Sequence, residues 1–285
     1  MSVFARYGIF GYLSATIEGT SIMDTVNSSM ETQQPVQDGP QEPASFLDRA
    51  AGVFSSPSET FEELSTAPVR NSTWLFPLLL SIIISVVFVV AIFYNQSLRD
   101  QIIEQRMAEM QKQVSEGKIQ QEQVDRANEA MESPVMFMLF GGISAVFAAA
   151  IAFFLVALFI WLGGVLFLKF GGGYPKVLEM YGLASLVGLA GAVVTLIMMN
   201  LFGSMYAAPA ASMAVMNTFD HRNAIHNLLS AVNIFSIWQV AIVGIGLAKV
   251  SKRPTGSGMG VAFGLWGAWV IVSVALATLF GWTMR

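Results

Sequence analysis

After Pro134 the chain carries only two acidic residues, Glu179 and Asp220, while apolar runs follow one another to its end. A domain that folds in water keeps charge on its outer face, so a half emptied of charge requires lipid as its solvent. A spanning helix needs about 20 apolar residues, because the hydrocarbon layer is about 30 Å thick and each residue rises about 1.5 Å. An earlier run at 74–94 also lacks ionised side chains. With it, five segments meet the length, at about 74–94, 141–168, 181–202, 228–248 and 261–282. The pattern predicts an all-α integral membrane protein whose five transmembrane helices form a compact bundle.

Composition narrows the function classes. Apolar residues make up 54% of the chain and charged ones 12%, against about 45–50% and 25% in a soluble domain. Of the 19 acidic groups, 17 precede Pro134. No basic cluster exists to neutralise phosphates, so nucleic acid is not an expected partner. Cysteine is absent, which removes disulfides, thiolate metal sites, palmitoylation and a cysteine nucleophile. No cofactor is expected.

Residues 1–44 read as poorly ordered. The stretch 1–22 has Arg6 inside a short apolar patch and no small-residue cleavage site, unlike a signal peptide. It reads as a loose extension or as sequence upstream of a start at Met23 or Met30. Pro35, Pro40 and Pro43 among Gln and Asp are linker chemistry.

From Ser45 the pattern turns helical. Ser45 followed by Asp48 is a capping pair, and Phe46, Leu47, Ala50, Val53 and Phe54 recur at helical spacing. Ser56-Pro57-Ser58-Glu59 repeats the start signal, with a cap serine, a proline at the first helical position and a glutamate placed to return the bond. Two amphipathic helices over 45–66 follow, with Phe46, Phe54 and Phe61 as candidate membrane-surface contacts. Packing on the protein's own loops is the alternative. Between Asn95 and Ser133, eight carboxylates and five bases interleave with an apolar stripe broken at Ser115-Glu116-Gly117. This predicts an extramembrane helical hairpin over 96–133 whose charges form a solvated face.

Small residues recur at four-residue steps: Ser144, Ala148 and Ala152; Ala184, Gly188 and Ala192; Gly244 and Ala248; Gly260 and Gly264. Such rows let helix backbones approach closely where lipid removes the hydrophobic incentive to pack. Orientation follows from the bases of the short loops. Placing Arg49, Arg70, Lys169, Lys176, Lys249, Lys252 and Arg253 in the cytoplasm gives an inner amino terminus and an outer carboxyl terminus. In a bacterial cell the protein would occupy the cytoplasmic membrane.

Candidate chemistry is sparse. Asp220, His221 and His226 lack the spacing and number of a metal site. Gly171-Gly172-Gly173 before a predicted helix, beside Lys169 and Lys176, suits either a tight turn or a lipid headgroup contact. Ser144 lacks the final glycine of a nucleophile elbow and an embedded histidine base. Glu62-Glu63 stands without the downstream arginine and histidine set of membrane prenyl-protein proteases. An enzyme is not expected. Thr195, Asn200, Asn233, Ser236 and Gln239 are polar groups within apolar runs, suited to interhelical hydrogen bonds or to a solute path.

Phe46-Leu47-Asp48-Arg49 with Val53-Phe54-Ser55-Ser56-Pro57-Ser58-Glu59-Thr60-Phe61 resembles the prokaryotic branch of the Yip-domain family. Met180-Tyr181-Gly182-Leu183-Ala184-Ser185-Leu186, Asn233-Ile234-Phe235-Ser236-Ile237-Trp238-Gln239 and Gly244-Ile245-Gly246-Leu247-Ala248 are similar too. The likeness covers about 46–282. It implies five spans and a cytosolic amino terminus; the family's eukaryotic members are implicated in vesicle traffic and in binding prenylated Rab GTPases. The acidic hairpin is longer than the family's loop and suits an extracytoplasmic docking surface. The expected function is a membrane-organising or partner-recruiting scaffold acting on the lipid bilayer and on proteins, itself included; a small-solute or ion permease is the alternative.

Overall fold

A computed structural model describes residues 44–280. The segments 1–43 and 281–285 lie outside the described residues, and with them the expected amino-terminal extension and the end of the last span. The described residues form ten α-helices and one 3-10 helix. The helices are α1 (Phe46–Ser55), α2 (Pro57–Thr66), α3 (Asn71–Tyr94), α4 (Gln96–Ser115), α5 (Gln121–Glu132), α6 (Pro134–Leu168), α7 (Tyr174–Phe202), α8 (Ala224–Ala231), α9 (Ile234–Val250) and α10 (Thr255–Phe280). The 3-10 helix, Ala211–Thr218, precedes α8.

Local chemistry sets the boundaries. Asp48 donates its amide to Ser45 Oγ at 3.2 Å, and Ser45 returns its amide to Asp48 Oδ2 at 3.1 Å. The Ser45 hydroxyl, and after it the Ser45 amide, hold the Asp48 carboxyl below its usual range. Pro57 opens α2 as expected, but Ser56 makes no side-chain cap bond. Its carbonyl instead accepts both the amide and the hydroxyl of Thr60 at 3.1 Å. Gly117, at φ 70°, breaks the hairpin between α4 and α5.

Among the described residues, four helices are long and apolar enough to cross a bilayer: α3, α6, α7 and α10. The expected fourth span at 228–248 differs. Asn233 accepts the amides of Phe235 and Ser236 at 2.9 and 3.3 Å and so starts a new helix inside the apolar run. Ile234 donates to the Pro209 carbonyl at 3.2 Å, which pins the break. Residues 228–231 therefore belong to the separate helix α8, and α9 keeps 17 residues. The run expected to cross at 141–168 is one uninterrupted helix of 35 residues. The third run begins seven residues earlier than expected, at Tyr174, and so includes Lys176 and Glu179.

The core gathers on α7. Val177, Met180, Leu183, Ala184 and Val187 are wholly buried, against Leu247 of α9, Phe61 and Leu64 of α2 and Ala157 of α6. α3 packs on α6 and α7, and α9 on α7, α10 and α2. Close approach depends on missing side chains. A Cβ on Gly258 would lie 2.2 Å from the Gly244 carbonyl oxygen and 2.7 Å from the Ala248 Cβ, so α9 and α10 cross nearly backbone to backbone. A Cβ on Gly182 would meet the Trp74 Cα at 2.8 Å, at the crossing of α7 and α3.

The small-residue rows divide accordingly. Ala184 is buried, Gly188 lies against Gln239, Ala192 is half-buried, and Gly244 and Ala248 meet α10. Gly260 and Gly264, expected at a helix contact, meet nothing within 4 Å and are exposed; the α10 contact is Gly258, two residues earlier. Ser144, Ala148 and Ala152 also face outward. Four-residue spacing marks a stripe on a helix, but the neighbour decides which stripe is used.

Gly258→Ala is expected to lower the midpoint of thermal unfolding in detergent, at a cost of about 1–3 kcal/mol, because a backbone oxygen cannot give way. Gly264→Ala should leave the midpoint unchanged or raise it, since Ala is the better helix former by about 1 kcal/mol.

Candidate functional site

Glu179 is a carboxylate with no exposure inside the second turn of α7. Lys176, one turn earlier, donates to Glu179 Oε2 at 2.7 Å. The same ammonium donates to the Leu64 carbonyl at 3.1 Å and the Ala67 carbonyl at 2.9 Å. On the other side of the pair, Glu179 Oε1 accepts the Arg70 amide at 2.5 Å. Helix ends leave carbonyls and amides without intrahelical partners. Here one ion pair satisfies both kinds: the cation takes carbonyls at the end of α2, and the carboxylate takes an amide at the start of α3. A buried pair holds only when its remaining lone pairs and protons are also bonded, and these three extra bonds meet that condition.

Two more ion pairs fix α2. Arg49, 3% exposed, donates to Glu63 at 2.9 Å and joins α1 to α2. Lys249 reaches Glu62 at 2.7 Å and joins α2 to α9. Beneath them Val53, Phe61 and Leu64 have no exposure. The missing side chain at Gly246 makes room for the Phe61 ring, whose Cε2 would stand 3.2 Å from a Cβ there.

This docking buries Val53 of α1 but leaves a second apolar edge of the helix uncovered. Its charged Arg49 is buried, while Leu47 is 76% exposed and Phe54 42% exposed. Leu47, Ala51 and Phe54, at steps of four and three, form one outward stripe and all are exposed. The two ends of α1 touch different long helices. Phe46 packs on Phe76 of α3 with ring centroids 5.2 Å apart, and Phe54 meets Trp238 of α9 edge-on at 5.6 Å. The α1–α2 lead is thus a rigid arm across the bundle with an apolar outer edge.

Among the residues expected to contact a membrane surface, Phe46 is half-buried, and Phe54 and Lys169 are exposed. Two require correction. Phe61 is core, because the docking of α2 on Gly246 and Met180 encloses it. Lys176 is committed to Glu179 and to two carbonyls, which leaves its ammonium no free donor for a headgroup. The role of Glu179 is visible in the sequence only as one of two acids in an apolar half, a lysine one turn away.

The opposite end has its own polar network. Gln101 donates to the Gly203 carbonyl at 2.8 Å and accepts the Met205 amide at 3.2 Å, tying the hairpin to the turn after α7. Gln105, Tyr206 and His221 lie within 2.5 to 3.1 Å of one another, and Tyr206 stacks on Phe219 at 4.6 Å. His226 Nδ1 accepts the Asp220 amide at 3.0 Å, which makes that cluster a loop fastening. No group of three or more His, Cys, Asp or Glu among the described residues is arranged to hold a metal ion. Of the polar residues within the apolar runs, Thr195 bonds the Gly191 carbonyl, Asn200 bonds the Leu196 carbonyl and Asn95, and Asn233 caps α9.

The family model of the Yip1 domain matches residues 51–282, from the middle of α1 to beyond α10. The chain belongs to the Yip1 domain family. No curated protein and no solved structure matches it. The Yip1 match takes in Glu62, Glu63, Arg70, Lys176, Glu179 and Lys249, so the Lys176–Glu179 and Lys249–Glu62 pairs lie within the family domain, while Phe46 and Arg49, the partner of Glu63, lie just before it. It supports an integral membrane protein with lipid-facing apolar helices.

Glu179→Leu is expected to destabilise this Yip1 domain by about 3–5 kcal/mol, because the Lys176 charge stays buried without its counter-charge. The double change Lys176→Met, Glu179→Leu should recover most of that loss. Thermal unfolding in detergent and protease cleavage across 64–71 would measure both; equal sensitivity of the single and double variants would contradict the assigned coupling.

Proposed function

We propose that the chain is a non-enzymatic membrane scaffold that crosses the bilayer five times and uses its α1–α2 lead to organise lipid or recruit proteins. The observation that carries this reading is the uncovered apolar edge of α1, which buries Arg49 and Val53 and exposes Leu47, Ala51 and Phe54. An outward apolar stripe on a docked helix suits a bilayer interface, where such residues enter the headgroup boundary. The docking also removes freedom from the arm, so insertion of Leu47 and Phe54 carries little ordering cost.

Five crossings require α9 to span with 17 residues. That is the lower limit of the usual length, about 25 Å, and local thinning accommodates it. Charge supports the orientation. Contacts bring Arg49, Lys176, Lys249 and Arg253 to the end of the bundle that holds α2 and the close of α6. The eight acids of the hairpin follow α3 at its other end. Bases inside and an odd number of spans support an amino terminus in the cytoplasm and a carboxyl terminus outside. The prokaryotic type of Yip domain fits this topology, and the family match supports a role in membrane traffic or remodelling. The hairpin then serves as an extracytoplasmic surface for proteins or for a second copy.

The chain has no cysteine, so single introduced cysteines report sidedness without background. Cysteines at Thr218 and at Thr255, which flank α9 and are both exposed, are expected to react from opposite faces of sealed vesicles; reaction from one common face would sink the five-span reading. Reconstituted protein is expected to deform liposomes or capture partner protein without solute flux, and Leu47→Glu with Phe54→Glu should reduce that activity several-fold. Saturable flux of a solute would favour a permease instead.

A further inference from the structure

Where α6 ends and α10 begins, a cavity of about 330 Å³ opens between Phe167, Leu168, Lys169, Arg253, Pro254 and Ser257. Its lining holds two cations and no acid. No carboxylate of the described residues lies within ion-pair distance of Lys169, Arg253 or the neighbouring Lys252. Lys249, one turn away, is already paired with Glu62. Arg253 is held in place through its Nε, which donates to the Leu168 carbonyl at 3.1 Å. That bond fixes the guanidinium while its two terminal nitrogens have no bond to any described residue, the fork that matches two oxygens of a phosphate.

The cations occupy unusual backbone positions. Lys169 closes α6 at φ 56° and Lys252 follows α9 at φ 52°, the left-handed region where glycine or asparagine is the common choice. They are the only non-glycine residues with positive φ among the described residues. Lys169 lines the cavity, and Lys252 immediately precedes Arg253, which also lines it. A residue held in a strained backbone conformation calls for a reason beyond capping, and retention of positive charge beside this cavity supplies one.

The cavity is two-faced in the way an amphiphile would require. Lys169, Arg253 and the Ser257 hydroxyl form a polar end, whereas Phe167, 69% exposed, and Leu166, 70% exposed, continue outward along the apolar helix α6. Both bounding helices are long enough to cross a bilayer, and the cavity lies where they end. A polar, cationic hollow at the boundary of the apolar layer, with exposed aromatic and aliphatic side chains beside it, matches a phosphodiester headgroup with an acyl chain attached. A free anion would use the first feature and leave the second without purpose.

We propose that this cavity is a binding site for one anionic phospholipid, with Lys169 and Arg253 on the phosphate, Ser257 as a further hydrogen-bonding group and Phe167 along the chain. The inference deepens the scaffold reading and rests on it in one respect, that this end of the bundle meets the bilayer surface. Selective retention of an acidic lipid would anchor the scaffold to membrane regions of matching composition.

Native mass spectrometry of the full chain in detergent, supplied with phosphatidylglycerol or phosphatidylcholine of the same acyl chains, tests the site. One phosphatidylglycerol per chain should be retained with a preference of roughly thirtyfold, the factor given by about 1 kcal/mol for each of two cations. Lys169→Gly removes a charge and relieves the left-handed backbone, so folding is preserved; with Arg253→Gln it should abolish the preference. Lys118→Gln with Arg126→Gln, the same charge change in the hairpin, should leave it intact. Equal retention of the two lipids by the native chain, or an unchanged preference in the Lys169→Gly, Arg253→Gln variant, would overturn the proposal. So would complete displacement by soluble glycerol phosphate at equal concentration, which would reveal a plain anion site. The Leu47 and Phe54 variants separate the two readings: lipid selectivity without any effect of those variants on bilayer shape would remove the scaffold mechanism and leave the lipid site, and the converse would remove only the site.

Discussion

The ion pair of Lys176 and Glu179 is the junction on which the rest of the architecture turns. It lies within α7, the helix that contributes more of the core than any other, and its two partners are the unsatisfied ends of the neighbouring elements: carbonyls closing α2 and the amide opening α3. In lipid or at its edge, an unpaired backbone group costs several kcal/mol, so a chain entering the first long helix needs such a fitting. Because the charges are internal to one helix, their geometry is set by helical spacing before any tertiary contact forms. The turn between α2 and α3 then has one place to dock.

From that junction the lead acquires its exposed apolar edge. Once Phe61 and Leu64 fill the space left by Gly246 and beside Met180, α1 can only lie across the bundle with Val53 inward and Leu47 and Phe54 outward. Arg49 is drawn inside because Glu63 is there to receive it. The apolar edge is therefore a by-product of satisfying polar groups within, and it is this edge, together with the cation-lined hollow at the end of α6, that makes one end of the bundle suited to a bilayer surface.

The opposite end is organised by different forces. Neutral amides of Asn95, Gln101 and Gln105 hold the charged hairpin to the turn after α7, and an aromatic stack of Tyr206 on Phe219 closes the loop. None of these bonds requires burial of a charge. The asymmetry between a clasped, basic end and a hydrated, acidic one accords with the positive-inside distribution of the short loops.

Several features were legible in the residues alone. Apolar length and the loss of charge identify the long helices, Ser45 with Asp48 marks the start of the lead, and the break near Gly117 divides the hairpin, because each depends on neighbours within four residues. The split of the apolar run at Asn233 was harder to see, since the asparagine cap competes with continuous hydrophobicity and wins through a distant Pro209 carbonyl. The assignment of Phe61 to the core, of Lys176 to internal bonds and of Gly258 rather than Gly260 or Gly264 to the helix crossing was beyond periodicity, which names a stripe and is silent about what faces it. The sequence by itself determined an all-helical membrane protein with an amphipathic lead, because apolar length, charge and capping are local quantities. Only the tertiary structure decided which face of that lead is buried, where α9 begins and which cations are left unpaired, because those outcomes depend on groups far apart in the chain meeting in space.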